Sequence, residues 1–115
     1  MRGIEGEQVL LRIFIGESDR VGHKSLYLAL LELFRERGLA GAPVTKGVAG
    51  FGANSIIHTT RLSDVSWDLP LVLEVVDTQQ HLDTVLPDVD RMMGGGLITM
   101  EKVRVVRYRE ARAAS

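Results

Sequence analysis

Residues 70–77 are the most informative segment of the sequence and read Pro70-Leu71-Val72-Leu73-Glu74-Val75-Val76-Asp77. Its side chains are apolar on both alternating faces except at Glu74, which is typical of a strand in the middle of a sheet. Asp77 or Thr78 then offers a side-chain acceptor for the free amides of a helix that follows. The sequence therefore predicts a central strand that leads directly into a helix.

The helix predicted after this strand contains a proline. Apolar residues keep helical spacing from Leu82 to Met93. Proline has no amide hydrogen, and its ring clashes with the preceding turn. We therefore expect the helix to cover residues 78–86 and a separate turn or short helix to begin at Pro87.

Three consecutive glycines, Gly94-Gly95-Gly96, end the helical region and precede the last predicted strand, over residues 97–108. The apolar positions of this strand change phase near Glu101 and Lys102. A strand with a bulge at that point accounts for the change.

The first half of the chain supplies two further strands and a helix. Apolar alternation predicts a strand over residues 8–16, and helical spacing predicts a helix over residues 23–37, ended by the glycine that follows it. A second strand is predicted over residues 42–49. A long polar segment follows over residues 50–68, with a short strand around residues 55–60.

The order of elements is β-α-β-β-α-β, so we predict an α+β fold with one ferredoxin-like domain over residues 1–115 and its core over about residues 8–108. Right-handed crossovers place both helices on one face of a four-stranded antiparallel sheet. The sequence contains no third long amphipathic helix for the opposite face, which carries Val, Ile and Leu side chains. Self-association through this face is the simplest way to remove it from water.

Composition narrows the class of protein. The chain has 115 residues with 14 Lys and Arg against 15 Asp and Glu, so no basic field exists to hold a nucleic acid by charge alone. It has no cysteine, which leaves neither a disulfide framework nor a thiolate nucleophile. We find no apolar signal sequence and no run that approaches the ~20 apolar residues of a membrane helix. We therefore expect a cytoplasmic protein without a nucleic-acid partner and without membrane insertion.

Glycines and arginines form the strongest candidate site. Gly47-x-x-Gly50-Phe51-Gly52 lies where the second strand ends, and its amides can converge on an anion because no Cβ blocks the approach. A bulge with a tight turn is the alternative. Gly94-Gly95-Gly96 exceeds the single glycine that helix termination needs. Arg107 and Arg109 lie two apart, on one face of the predicted last strand, where guanidinium groups either suit a phosphate or remain solvated.

The sequence carries no recognisable catalytic or metal-binding motif. It has no G-x-S-x-G elbow, no cysteine and no serine with an assignable histidine partner, so we predict that the protein is not an enzyme. His23, His58 and His81 form neither H-x-x-x-H nor H-E-x-x-H, and we interpret them as isolated or hydrogen-bonded histidines rather than metal ligands. Glu17-Ser18-Asp19 offers oxygen ligands but suits a solvated turn before the first helix equally well.

Motifs spread over residues 9–108 together resemble a family of unknown function. They are Ile15-Gly16-Glu17-Ser18-Asp19, Gly38-Leu39-Ala40-Gly41-Ala42, Lys46-Gly47-Val48-Ala49-Gly50-Phe51-Gly52, Ile57-His58-Thr59, Asp68-Leu69-Pro70, Glu74-Val75-Val76-Asp77 and Gly96-Leu97-Ile98-Thr99. The chain is similar in these motifs to domain-of-unknown-function family 190, which is related in fold to the PII signalling proteins. The resemblance implies a ferredoxin-like subunit that forms a homotrimer with its sheets facing inward.

The resemblance also implies a ligand site. PII-like proteins bind adenine nucleotides in clefts between subunits, through the base of the long loop after strand two, a glycine-rich loop before strand four and basic residues near the C-terminus. The corresponding residues here are Gly50, Phe51, Gly52, Asn54, Gly94, Gly95, Gly96, Arg107 and Arg109. Where PII proteins have a glycine-acid-glycine-lysine run, this chain has Gly94-Gly95-Gly96-Leu97, which lacks the phosphate-binding lysine. We therefore expect a nucleoside monophosphate, a cyclic nucleotide or another small anion rather than a triphosphate.

Three functions are consistent with these features. The first is a trimeric sensor or adaptor, in which a ligand between subunits changes the order of the 50–68 loop and so its affinity for a partner protein. The second is a ligand-free interaction module, for instance an accessory subunit of a membrane transporter, whose contact residues are Ile56, Ile57, Leu62 and Trp67. The third is a metal-binding protein in which trimer symmetry brings together copies of His58 or His81.

Overall fold

A computed structural model describes residues 4–50, 58–59 and 68–109. The elements in these ranges are, in chain order, β1 (Gly6–Gly16), β2 (Arg20–Val21), β3 (Lys24–Ser25), α1 (Leu26–Glu36), β4 (Val44–Lys46), β5 (Ala49–Gly50), β6 (His58–Thr59), β7 (Pro70–Asp77), α2 (Gln79–Met92) and β8 (Leu97–Val105).

The main sheet has four antiparallel strands in the order β4-β7-β1-β8. One edge of β1 pairs with β7, from Val9 opposite Asp77 to Gly16 opposite Pro70, and its other edge pairs with β8. The two central strands are therefore the two whose sequences are apolar on both faces. Strand order and helix placement confirm the predicted α+β, ferredoxin-like architecture.

Both helices pack on one face of this sheet. Leu11 and Ile13 of β1 and Leu73 of β7 are fully buried in the core that they share with the helices. The buried helical residues are Leu26, Leu30 and Phe34 of α1 and Leu82, Val85 and Val89 of α2. Each such side chain contributes roughly 1.5–3 kcal/mol by leaving water, so this face stabilises the fold. Neither helix in the described residues is long and apolar enough to cross a membrane.

The first helix begins later than predicted. α1 starts at Leu26 rather than at residue 23, because β2 and β3 form a small hairpin through Gly22, whose φ of 61° is left-handed. The amide of Leu26 donates to the carbonyl oxygen of Asp19 at 2.8 Å and holds this hairpin against the helix. At its other end the helix stops before Gly38, whose φ of 72° confirms the predicted terminator.

Pro87 does not interrupt the second helix, so the predicted break after residue 86 is wrong. The helix runs over Gln79–Met92 with an exposed proline inside it. On an exposed side, the carbonyl that loses its helical donor can bond to water. Arg37 also donates to the carbonyl oxygen of Thr84 at 3.3 Å and pairs with Asp88, so a side chain from the end of α1 braces the turn that contains the proline.

The last strand has no bulge, and that prediction is wrong. Its register with β1 is unbroken over Leu97–Val105. Ile98 packs against the core beneath the helices, whereas Val103 and Val105 lie half-buried on the opposite face. The apolar positions therefore shift by one residue because the strand buries one face at its start and the other face at its end, without a bulge.

The segment after β8 is irregular instead of extended, so the strand is shorter than the predicted 97–108. It covers residues 106–109 and follows the last strand residue, Val105. Tyr108 fixes its course, because its amide donates to Glu5 Oε2 at 2.9 Å and its hydroxyl donates to the carbonyl oxygen of Ala40 at 3.4 Å. Residues 106–109 are thereby fastened across the sheet instead of continuing along its edge.

The predicted second strand, residues 42–49, is shorter and interrupted. β4 pairs with β7, whereas β5 pairs separately with β6 as a two-stranded ribbon. Gly47 separates them, since its amide donates to the carbonyl oxygen of Pro70 at 2.7 Å and a Cβ there would lie 2.7 Å from Pro70 Cγ. Of the strand predicted around residues 55–60, residues 58–59 form β6, and the others lie outside the described residues.

A fully buried carboxylate joins the central strand to the elements around it. Asp77 accepts hydrogen bonds from the amides of Thr78 at 2.8 Å and Ala40 at 3.3 Å. Its Oδ1 also lies 3.3 Å from His81 Nδ1 on α2. One side chain therefore holds the first turn of α2 and the connection between α1 and β4.

We expect Asp77→Ala to lower the free energy of unfolding by about 2–3 kcal/mol, because the part-buried amides of Thr78 and Ala40 would lose the acceptor that the buried carboxylate provides. Urea denaturation followed by circular dichroism measures the change. Asp83→Ala removes an exposed aspartate of α2 and should change stability by less than about 0.5 kcal/mol. Equal stability of the two variants would contradict the role assigned to Asp77.

Candidate ligand site and open sheet face

The two glycine clusters lie at the same end of the main sheet. The first begins at Gly47, beside Pro70, which is opposite Gly16 at the end of β1. The second precedes β8, where Gly96 closely approaches the carbonyl oxygen of Phe14 in β1. The clusters adjoin the two edge strands, so three interstrand spacings of roughly 14 Å in total separate them within one chain.

Arg107 and Arg109 lie at the opposite end of β8 from Gly96. Both are exposed in the irregular segment after the strand, so the prediction that they share one strand face is wrong. The intervening strand, Leu97–Val105, spans about 30 Å. Within one chain Arg107 and Arg109 therefore do not meet the glycines before β8, which leaves a boundary between copies of the chain as the place where they could.

Only the last of the three consecutive glycines is required by the fold. Gly96 has a φ of 120°, and a Cβ there would lie 2.7 Å from the carbonyl oxygen of Phe14 and 2.7 Å from Met93 Cε. A Cβ at Gly94 or Gly95 would meet nothing within 4 Å, and both residues are exposed. Packing among the described residues gives no reason for these two glycines, whereas close approach of an anion to the backbone does.

Gly96→Ala is expected to lower the free energy of unfolding by about 1–3 kcal/mol, because a side chain at this φ is strained and would press on a backbone carbonyl. Gly95→Ala is the matched control and should stay within about 0.5 kcal/mol of the parent. Thermal and urea unfolding of the two variants provide the comparison. If Gly96→Ala proved as stable as Gly95→Ala, the structural role given to Gly96 would be wrong.

Seven predicted site residues fall outside the part of the chain that the structure describes. They are Phe51, Gly52, Asn54, Ile56, Ile57, Leu62 and Trp67. Gly50 lies at the end of β5, opposite His58 in β6. The roles of these loop residues in ligand or partner binding stay predictions.

The sheet face opposite the helices, here called the open face, carries three charged side chains among apolar ones. These three, Arg12, Glu74 and Glu101, are here called the charge row. Arg12 Nε donates to Glu74 Oε2 at 2.9 Å, and Arg12 Nη1 donates to Glu101 Oε1 at 2.5 Å. The hydrogen bond to Glu74, with a further contribution from Glu101, raises the pKa of Arg12 above its ordinary value. Leu10, Val76 and several other half-buried or buried apolar side chains surround this row.

Sequence reasoning missed this row, although a signal was present. Arg12 and Glu74 are the only charged residues within two otherwise apolar runs, residues 9–15 and 71–76. Opposite charges in two central strands predict a cross-strand pair. Which residues face each other depends on the register, which places Arg12 directly opposite Glu74.

A groove of about 470 Å³ opens at the Arg107 end of the open face. Its lining is mostly apolar and includes Leu10, Val76 and Val105. Glu74 and Arg107 are its charged lining residues. Glu74 is engaged by the charge row, whereas Arg107 has no hydrogen bond or ion pair with any other residue that the structure describes.

His81 is held within its own chain. Its Nε2 lies 2.8 Å from the carbonyl oxygen of Arg37, and its Nδ1 contacts Asp77, so both ring nitrogens face intramolecular partners. Within residues 4–50, 58–59 and 68–109, no group of three His, Asp or Glu side chains is placed to hold a metal ion.

The arrangement of sheet and helices is that of PII-like proteins. CPII, a nitrogen regulatory PII-like protein from Thiomonas intermedia K12 whose structure is bound to ADP, AMP and bicarbonate, matches with a TM-score of 0.64 over 86% of this chain and 94% of its own, at 10% identity. A putative PII-like signaling protein from Thermus thermophilus matches with a TM-score of 0.64 over 88% of this chain and 91% of its own, at 18% identity. At such identities the likeness shows the fold alone.

Sequence similarity then identifies the family. The family model DUF190, described as "Uncharacterized ACR", matches residues 8–105. A UPF0166 protein of Aquifex aeolicus is 37% identical over 97 residues, which cover 84% of this chain and 91% of the relative. A UPF0166 protein of Methanocaldococcus jannaschii is 26% identical over 99 residues, 85% of this chain and 91% of the relative. The chain belongs to the DUF190 family, which confirms the resemblance found in its motifs.

Proposed function

We propose that the protein is a PII-like signalling or adaptor protein that binds a small nucleotide or another anion between copies of its own chain. The proposed assembly is a homotrimer with the open faces inward. The proposed ligand is an adenine nucleotide, either a monophosphate or a cyclic form. Ligand binding would shift the 50–68 loop between states that differ in affinity for a partner protein.

The observation that carries this proposal is the pair Gly94 and Gly95. Both are exposed, and a side chain at either position would have free space around it. Their backbone can therefore approach a phosphate without steric cost. CPII, whose structure contains ADP and AMP, shares the fold, which favours an adenine nucleotide among the possible anions.

The open face supports the proposed assembly. Leu10 and Val76 are cross-strand neighbours at its centre, and Leu97, at the start of β8, leaves 55% of its surface exposed. Apolar area that a second copy removes from water contributes about 25 cal/mol per Å². In a closed ring every copy repeats the same contact, so a neighbour would cover part of each open face.

The proposed ligand contacts come from two copies. The glycines at 94–96 of one copy would receive the phosphate, and Arg107 and Arg109 of a neighbour would balance its charge. Gly50, Phe51, Gly52 and Asn54 are the proposed contacts at the base of the loop. This division follows from the distance of about 30 Å between the glycines and Arg107 within one chain.

Isothermal titration calorimetry of the purified protein tests the proposed function. The panel contains AMP, ADP, cyclic AMP and cyclic dinucleotides, with inorganic phosphate as the control for charge alone. We expect saturable heat with at least one adenine nucleotide. At a ligand concentration of a hundred times Kd, binding should stabilise the folded protein by about 2.7 kcal/mol and so raise its melting temperature. Absence of both heat and thermal shift across the whole panel would contradict the proposal.

A further inference from the structure

We infer that copies of this chain contact one another through an ion pair between Glu101 of one copy and Arg107 of its neighbour. The inference rests on the proposed assembly and identifies residues that would fix its register. It concerns the protein without nucleotide, because a phosphate bound between the copies would draw on the same guanidinium.

The charge row on the open face has a net negative charge. The register places Arg12 opposite Glu74 and Leu10 opposite Glu101, so these four side chains share one face. One guanidinium serves two carboxylates there. Covering the row with apolar surface would bury a surplus negative charge, which strongly opposes association.

Glu101 is the carboxylate of the row that a neighbouring copy can reach. It lies on the edge strand β8, and 53% of its side chain is exposed against 34% for Glu74. Arg12 engages only its Oε1. The second oxygen of Glu101 has no hydrogen bond or ion pair with any other described residue, and the side chain lies on the edge strand, at the margin of the surface that a neighbour would cover.

Arg107 supplies the missing positive charge. It lines the groove on the same face and has no hydrogen bond or ion pair with any other described residue. A guanidinium binds a carboxylate through two parallel hydrogen bonds, which fixes orientation as well as charge. Arg107 and the row together make two arginines and two glutamates among the described residues, so these four charges sum to zero.

This balance indicates a second copy as the occupant of the groove. An acidic partner would leave Glu101 and Glu74 opposed by like charge, and a basic partner would oppose Arg107. A copy of the same chain brings one glutamate to each arginine. In a closed ring of three copies, the same pair would form at every interface.

A double-mutant cycle on association tests the pair. Glu101→Gln, Arg107→Gln and the double variant are compared with the parent by sedimentation equilibrium, in a phosphate-free buffer without nucleotide. We expect each single change to raise the dissociation constant of the assembly by at least about tenfold, and the double variant to be at least about fivefold tighter than the product of the single effects. Lys102→Gln, an exposed neighbour on the opposite face of β8, should leave the constant unchanged.

The outcomes separate the ion pair from the assembly. If the single effects multiply without coupling, if none is seen, or if Glu101→Gln tightens the assembly, the pair is overturned and the assembly stands. If the parent chain does not associate, the proposed assembly fails and the pair with it. If circular dichroism shows that Glu101→Gln does not fold, the comparison of Arg107→Lys with Arg107→Gln replaces it. We expect Arg107→Lys to retain most of the association, because it keeps the positive charge. Equal loss of association in both variants would overturn the pair.

Discussion

Val76→Asp is expected to separate the proposed assembly into single chains while leaving the fold intact. Val76 is half-buried on the open face, opposite Leu10, and lines the groove. In the proposed assembly its replacement would bury a further carboxylate near Glu74, while Arg12 and Arg107 already serve Glu74 and Glu101. An unpaired buried charge costs about 3–5 kcal/mol, so we expect the association constant to fall by at least about a thousandfold.

Leu28→Asp is the matched control for this experiment. Leu28 is an apolar residue on α1, 44% exposed, on the layer that lies away from the open face. The same change of character there should leave the mass of the assembly unchanged. Sedimentation velocity measures the mass, and circular dichroism verifies the fold. Val76→Asp sedimenting like the parent would contradict burial of the open face, and dissociation by Leu28→Asp would place the interface on the helical layer.

Gly95→Asp is expected to abolish measurable nucleotide binding. A side chain at Gly95 meets no atom within 4 Å, so the fold should accept it. In the proposed site its carboxylate would stand where the phosphate approaches the backbone, and like charges in a desolvated site repel strongly. We expect affinity for whichever adenine nucleotide binds the parent to fall at least about a hundredfold in calorimetry.

Two further variants separate charge from shape at this position. Gly95→Ala adds a side chain without charge and should reduce affinity less than about tenfold. Gln80→Asp adds the same charge to an exposed position of α2 and should leave binding unchanged. Undiminished binding by Gly95→Asp would remove the glycine cluster from the proposed site.

The architecture was readable from the sequence because its central strands are apolar on both faces. Residues 9–15 and 70–77 became β1 and β7, the two strands with neighbours on both sides. The helices were likewise readable from their spacing, since Leu30 and Phe34, or Leu82 and Val85, point at one sheet. These are local patterns, and the sheet they imply follows from the order of elements.

The errors arose where a distant residue decides the local structure. Pro87 sits inside α2, where Arg37 from the end of the other helix bonds to the turn around it. In β8 the apolar side chains change from the face under the helices to the opposite face along a regular strand. From the sequence alone, the same pattern is equally well explained by a bulge. Neither outcome can be derived from a window of neighbouring residues.

The candidate site was only partly predicted, because its geometry also depends on residues that are distant in the sequence. The three glycines before β8 stood out by number alone, yet only the backbone shows that Gly96 is structural and that Gly94 and Gly95 are not. The charge row needs the strand register to join Arg12 to Glu101 across 89 residues of chain. The distance between the glycines and Arg107 depends on where β8 lies, and it is the reason why the proposed site combines residues of two copies.

Sedimentation equilibrium of the nucleotide-free parent chain at micromolar concentration is the decisive experiment, because the proposed site exists only where copies of the chain adjoin. We expect a particle of three times the 12.7 kDa chain mass. A particle of 12.7 kDa at every concentration would contradict it.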